Sequence, residues 1–259
     1  MKTRLLTLFA IALMPGLLYA GTACATPTVV PADGRVVDFD FVANSPGANF
    51  YQFDVSAGNS YSVEVRQDYD DLQATNDLTT TAFSDVGCSA AVAGMVDTTA
   101  LDPALPGNSS RFSFTAATSG TIRLKVANGN ATSGRYVSVS VSDTTTFNPQ
   151  FSTFAGFQTQ YLFINTTRSD VHGVLTVTAN VCVGAVPAPK VVNVTIPAGV
   201  NLTRSVSPTG SIPMPAQCGG FTKFSHDGPP GSLITDALYI NSNASVIVSS
   251  KFQAVRQGH

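Results

Sequence analysis

From residue 49 onward, apolar and polar side chains alternate one by one over short stretches. Tyr51, Phe53 and Val55 share one face of residues 49–55, and Tyr61, Val63 and Val65 share one face of 61–66. Side chains on a strand point alternately to opposite faces, so this period of two predicts half-buried β-strands. Ser56-Ala57-Gly58-Asn59 lies between them and is of hairpin length. The pattern returns at Phe112 and Phe114, at Ile122, Leu124 and Val126, and at Val137, Val139 and Val141. Seven further strand candidates follow, near 160–166, 174–183, 191–196, 201–206, 221–226, 233–240 and 246–255. Between them stand turn sequences such as Pro197-Ala198-Gly199, Ser207-Pro208-Thr209-Gly210 and Gly228-Pro229-Pro230-Gly231. Past the first twenty residues no segment keeps an apolar period of 3.6, and abundant Thr, Ser and Val favour a pleated surface. The expected fold is all-β: two antiparallel β-sandwich domains, the first jelly-roll-like and the second immunoglobulin-like. Phe147-Asn148-Pro149 reads as the junction, dividing 21–146 from 147–259.

The first twenty residues read differently. Lys2 and Arg4 precede an apolar run from Leu5 to Leu18 that contains Pro15 and Gly16 and is followed by small residues. This is the pattern of a secretory signal peptide, and the run falls short of the roughly 20 residues that span a bilayer. Cleavage after Ala20 or after Ala25 fits a small-residue site; Ala25 has the better small-x-small pattern, whereas Pro15 ends the apolar helix at a distance that favours Ala20. A cut after Ala20 leaves Cys24, Cys88, Cys182 and Cys218 in an oxidising compartment, and four cysteines permit three pairings. One bridge per half, Cys24 to Cys88 and Cys182 to Cys218, requires no link between domains. No Cys-x-x-Cys pair or histidine at ligand spacing supports zinc. Lipidation of Cys24 is a lesser alternative, because Gly21-Thr22-Ala23 lacks the large aliphatic residue expected three places earlier.

Several segments of the first half carry a family pattern. These are Phe50-Tyr51-Gln52-Phe53-Asp54-Val55-Ser56-Ala57-Gly58, the run from Phe112-Ser113-Phe114 to Leu124-Lys125-Val126, and Gly134-Arg135-Tyr136-Val137-Ser138-Val139. Together they make residues 30–143 resemble the bacterial pre-peptidase C-terminal domain. That resemblance implies a small β-sandwich appended to exported proteins and an accessory, non-catalytic role. The family's Asp-x-Asp-Leu strand is replaced here by Asn76-Asp77-Leu78-Thr79 and a long Ala- and Thr-rich insertion holding Cys88.

Composition narrows the function classes. The chain has 259 residues, 12% of them charged, and a net charge of -2, so nothing in the whole molecule draws it to nucleic acid or anionic lipid. Four places invite chemistry. Asp68, Asp70, Asp71 and Asp77 form an acidic loop of the oxygen-rich kind that suits calcium, without the Gly and closing Glu of an EF-hand. The more ordinary role of such a loop is a solvated surface that keeps an edge strand from pairing. His226-Asp227 sets an imidazole beside a carboxylate, but adjacent strand residues face opposite ways and no Gly-x-Ser-x-Gly elbow accompanies them. A turn in which Asp227 accepts backbone N–H groups is the expected role. His172 and His259 are the other histidines. Phe151, Phe154, Phe157 and Tyr161 suit either an aromatic platform or, more often in such a position, core packing. Asn130, Asn165 and Asn193 open Asn-x-Thr triplets of the kind that arise by chance in so polar a chain.

The expected function is that of a secreted, periplasmic or cell-surface bacterial protein, not an enzyme, serving as a binding or structural module of the envelope or extracellular matrix. Its partner would be an envelope, matrix or glycan component, with no cofactor beyond a candidate calcium ion. The alternatives are a carbohydrate- or substrate-binding accessory protein assisted by calcium, and a hydrolase using His226.

Overall fold

The computed structural model describes residues 21–68, 78–96, 109–129, 131–241 and 246–254. The expected signal peptide, residues 1–20, lies outside them. Among the described residues the first half contributes β1 (Thr28–Val29), β2 (Asp33–Val42), β3 (Ala48–Val55), β4 (Ser60–Asp68), β5 (Leu78–Phe83), β6 (Ala91–Val96), β7 (Ser109–Thr115), β8 (Gly120–Asn128) and β9 (Arg135–Asp143). They form a five-stranded sheet in the order β1-β3-β8-β5-β6 and a four-stranded sheet in the order β2-β9-β4-β7. The alternation seen in the sequence fills the space between the sheets. Tyr51, Phe53, Leu124 and Val126 from one sheet meet Tyr61, Val63, Val65, Val137, Val139 and Val141 from the other. Burying each such side chain contributes about 1.5–3 kcal/mol before entropy is subtracted.

The turn at 56–59 does not make a hairpin. β3 pairs with β8 and β4 with β9 and β7, so the chain passes from one sheet to the other there. The reason lies in the side chains. Both strands offer an apolar face, and stacking those faces across the core, with the rings of Phe53 and Tyr61 6.3 Å apart, buries both sets against each other. Gly58, at φ 71°, supplies the left-handed residue that the corner needs, and the Tyr61 hydroxyl accepts the Ser56 N–H at 2.8 Å.

The second half contributes β10 (Thr146–Ser152), β11 (Gln158–Asn165), β12 (Val171–Cys182), β13 (Lys190–Ile196), β14 (Asn201–Ser207), β15 (Ile212–Pro213), β16 (Cys218–His226), β17 (Leu233–Ile240), β18 (Val246–Lys251) and β19 (Gln253–Ala254). Two five-stranded sheets result, β13-β12-β16-β10-β19 and β15-β14-β11-β17-β18. Phe163 and Phe224, with ring centroids 4.8 Å apart, join the two layers of a core that includes Tyr161, Leu175, Val177, Ile196 and Val206. Each half holds one disulfide, Cys24–Cys88 and Cys182–Cys218. The second joins residues that stand opposite each other on β12 and β16. Cys88 sits in a tight turn whose amides, from Gly87, Ser89 and Ala90, converge on the Asp85 carboxylate and hold its pKa down to about 2.

Phe147-Asn148-Pro149, expected to be the junction, lies inside β10 and pairs with β16. Pro149 is accommodated because the register shifts between Asn148 and Phe151, so its missing N–H falls at an irregularity in the ladder. The chain crosses between the halves at Thr144 and Thr145 instead, and the two buried apolar clusters share no residue. A chain opened between Thr144 and Thr145 is therefore expected to yield two soluble fragments, each with β-type circular dichroism and its own cooperative melt. Fragments that fold only on mixing would show that one sandwich depends on the other.

Candidate functional site

Where the halves meet, hydroxyls and backbone carbonyls take the place of apolar contacts. The Thr144 hydroxyl lies 2.7 Å from His226 O and 3.1 Å from Ser60 O. The Ser225 hydroxyl donates to Gly58 O at 2.9 Å, and that of Ser113 donates to Asp227 O at 2.7 Å. Lys223 reaches over the Phe147 ring, 6.0 Å from its centroid, toward the turn at Gly58. Burial lowers its ammonium pKa, and the nearby Asp143 carboxylate opposes that shift.

Beside this joint a cleft of about 340 Å³ opens between the outer face of β13-β12-β16 and the ends of β4 and β7. Strand alternation explains its lining. His172 and Val174 of β12, Asn193 and Thr195 of β13 and Ser225 of β16 share the outer face, and Ser60 and Thr115 close the cleft from the other half. The pairing of β12 with β16 draws His172 to Asp227, although 55 residues separate them. Asp227 Oδ1 accepts the His172 N–H at 2.7 Å, and the Asp227 N–H donates to His172 O at 2.9 Å. The His172 ring Nδ1 meets Thr195 Oγ1 at 3.1 Å.

His226 also borders this cleft, but its side chain lies on the other face of β16. It stands opposite Gly173 on the inner face, 5% exposed, with its ring 5.5 Å from that of Phe224. A Cβ on residue 173 would come within 2.7 Å of the Phe224 ring, so glycine there makes room for this cluster. Burial drives the imidazole pKa down to about 4, against a smaller upward effect from a hydrogen bond with the Gly228 backbone. Nδ1 has no hydrogen-bond partner among the described residues. The adjacent imidazole and carboxylate thus face apart, and the Asp227 carboxylate is engaged with the backbone N–H of His172 on the neighbouring strand.

A second cleft, of about 410 Å³, lies at the far end of the second sandwich. Phe157, Gln158, Thr209, Gln217 and Asn241 are among its lining residues. Its rim contains two non-glycine residues in the left-handed region, Ala155 at φ 50° and Gln217 at φ 58°, a conformation that L-residues adopt at a cost of about 1–3 kcal/mol. Of the four aromatic candidates, Phe151 and Tyr161 are core residues, the Tyr161 hydroxyl bonding to that of Thr222. Phe157 reaches the cleft wall and Phe154 belongs to the short 3₁₀ turn at its edge. Asp68 ends β4, while Asp70, Asp71 and Asp77 lie outside the described residues, as do Asn130 and His259. Asn165 is 1% exposed and donates to Ser169 O and Ile196 O, so its side chain is structural. Among the described residues no cluster of three His, Cys, Asp or Glu stands at metal-binding distance. The sequence signalled neither cleft: both depend on strand register and on turns brought together from distant segments.

No protein-family model matches the chain, and no curated protein does. Among solved structures it is similar to the pre-peptidase C-terminal domain of collagenase from Bacillus anthracis, at 14% identity over 44% of this chain and 93% of that one, with a TM-score of 0.34. It is also similar to a β-glucuronidase of Bacteroides uniformis, at 13% identity over 80% of this chain and 26% of that one, with a TM-score of 0.22. The molecule itself is an all-β, disulfide-bonded sandwich protein. Its bridges point to an extracellular or periplasmic environment, and among the described residues no helix is long and apolar enough to cross a membrane.

Proposed function

We propose that the chain is an exported, non-catalytic binding or structural module of a bacterial envelope or extracellular matrix. One observation supports this most: the histidine and carboxylate that the sequence singled out are consumed by the fold. His226 is buried and the Asp227 carboxylate accepts the backbone N–H of His172. A general base must reach the proton that it removes, and this imidazole faces the core. Among the described residues two clefts carry hydroxyl and amide side chains that suit binding. Cosedimentation of the mature protein with purified cell-wall sacculi, insoluble polysaccharides and fibrous matrix protein tests the reading. Retention on at least one of these, with no turnover of a broad hydrolase substrate panel, is expected. Failure to bind any of them, or turnover abolished by His226→Ala in a protein that still folds, would overturn it.

A carbohydrate ligand is the second reading, favoured by the cleft at the end of the second sandwich. Sugars are held by bidentate amides and by stacking on an aromatic face, and Gln158, Gln217 and Phe157 bring both to one place. A glycan array should then show binding that Phe157→Ala weakens about tenfold, the effect of losing roughly 1.4 kcal/mol of contact. Equal binding by the wild type and the variant would place any glycan elsewhere. Repeating the array with chelator separates a calcium-assisted site in the acidic loop from this cation-free one.

A further inference from the structure

The outermost strand of one sheet is left open in a way that the other sheet edges are not. β1, β15 and β19 are two residues long. β2, β6 and β18 have register shifts against their partners, and β7 lies against β6. β14, only partly covered by β15, carries Arg204 and ties its Ser205 N–H to Ser211 Oγ. Short length, bulges and charge are the devices that keep strand edges from pairing. β13 has neither of the first two, and its one charge, Lys190, stands at its first residue. Its seven residues, Lys190-Val191-Val192-Asn193-Val194-Thr195-Ile196, run in unbroken register along β12. Among the described residues nothing pairs with its other side, and Val191 is 64% exposed.

The sequence of this edge is complementary to itself. In an antiparallel pair of two copies centred on Asn193, Val192 stands opposite Val194 of the second copy, Val191 opposite Thr195 and Lys190 opposite Ile196. Directly opposed residues share a face. The inner residues Val192 and Val194 would therefore extend both cores across the seam, and the two Asn193 amides would meet on the outer face. The single charge falls opposite an apolar residue rather than its own copy. The frame fits as well: Pro189 precedes the strand and Pro197 follows it, and the same register sets these two opposite each other, ending the pairing where neither residue has an N–H to give. Exposed Val186 and Val200 flank the two ends.

We propose that β13 is a homodimer interface, in which a second copy of this chain adds its own β13 antiparallel about a two-fold axis at Asn193 and joins two five-stranded sheets into one. Sedimentation equilibrium of the mature protein over a range of concentrations should show a monomer–dimer equilibrium. Asn193→Lys sets like charges face to face on the axis and should weaken the dimer about fivefold or more, and mixing it with Asn193→Asp should restore association as a heterodimer. Asn193→Cys should form a disulfide-linked dimer under mild oxidation, since directly opposed strand residues lie within disulfide reach. Val191→Cys alone should not, whereas Val191→Cys mixed with Thr195→Cys should. Unchanged circular dichroism shows that these exposed substitutions leave the fold intact. A wild-type protein that stays monomeric at every concentration overturns the proposal, including the case in which the edge takes an extended peptide instead. A dimer indifferent to Asn193→Lys, or cross-linking alike at 191 and 193, overturns it too.

Discussion

Replacing both Cys182 and Cys218 with alanine is expected to lower the unfolding free energy of the second sandwich by about 2–5 kcal/mol. The bridge spans 36 residues, and the chain-entropy relation for a loop of that size gives about 4 kcal/mol. Two features of the structure place the outcome in this range. The cysteines face each other in register on β12 and β16, so the bridge clamps a pair of strands at the centre of the sheet. Cys218 is also fully buried in the core, so losing its sulfur loosens packing as well. Guanidinium unfolding of the oxidised protein and the variant at constant pH measures the difference. A loss below about 1 kcal/mol, well under the usual range for such a bridge, would mean that the strands hold this end of the sandwich unaided. The same replacement of Cys24 and Cys88 should act more locally. That bridge ties the chain before β1 to an exposed turn, and its loss should be seen first as faster amide exchange at Thr28 and Val29.

Much of this architecture was legible in the sequence because it depends on a period of two. β3, β8 and β11 show clean alternation, one face of each lying on a core and the other more exposed; β4, β9 and β12 alternate in sequence, although Ser60, Ser62, Ser138 and Ser142 on the outer faces of β4 and β9 are buried as well. β2, β5 and β6 were not foreseen. β2 is interrupted by two register shifts, which break the alternation and leave charged residues along a strand edge. β5 places Thr80, at 2% exposure, on its inner face, so a polar residue stands where an apolar one would have revealed the strand. β10 was hidden for a related reason, Pro149 and Asn148 being turn residues by composition. Asn148 is fully buried: its side chain donates to Ser250 Oγ at 2.8 Å and accepts the Gln150 N–H. A local sequence rule assigns such residues to a turn; only their distant partners show that they belong to a strand.

The same distinction separates the pairings that were foreseen from those that were not. Which strands neighbour each other follows from non-local contact, so the 56–59 turn could be recognised as a turn without revealing that it joins two sheets. The joint is the extreme case. Ser113, Thr144 and Ser225 are ordinary hydroxyls in sequence, yet together they carry the contact between the halves. Each hydroxyl is worth about 1 kcal/mol in a hydrogen bond, but leaving its buried partner unsatisfied costs more. An orientation built on such bonds is specific rather than strong, which suits two independently cored units.

His226 should make the second sandwich sensitive to acid in a window of its own. The folded imidazole has a pKa of about 4, pulled down by burial, whereas an unfolded chain binds the proton near 6.5. A group whose folded pKa is depressed stays neutral in the native state while the unfolded state takes up a proton. The stability difference is therefore fully kept above about pH 6.5 and is lost as pH falls toward about 4. Over that window the loss amounts to about 3 kcal/mol. Asp85 titrates lower, its pKa held to about 2 by the amides of its turn, so its contribution disappears only in stronger acid. Asp40 shifts the other way, burial raising its pKa, and sits in the first sandwich. Urea unfolding of the second sandwich at neutral pH and near pH 4, for the wild type and for His226→Gln, isolates the effect. Glutamine keeps a polar side chain of similar size and cannot take up the proton, so the variant should lose about 3 kcal/mol less than the wild type on acidification. Equal losses would show that the imidazole is protonated in the folded protein as readily as in the unfolded chain, and would return His226 to the list of groups available for proton transfer.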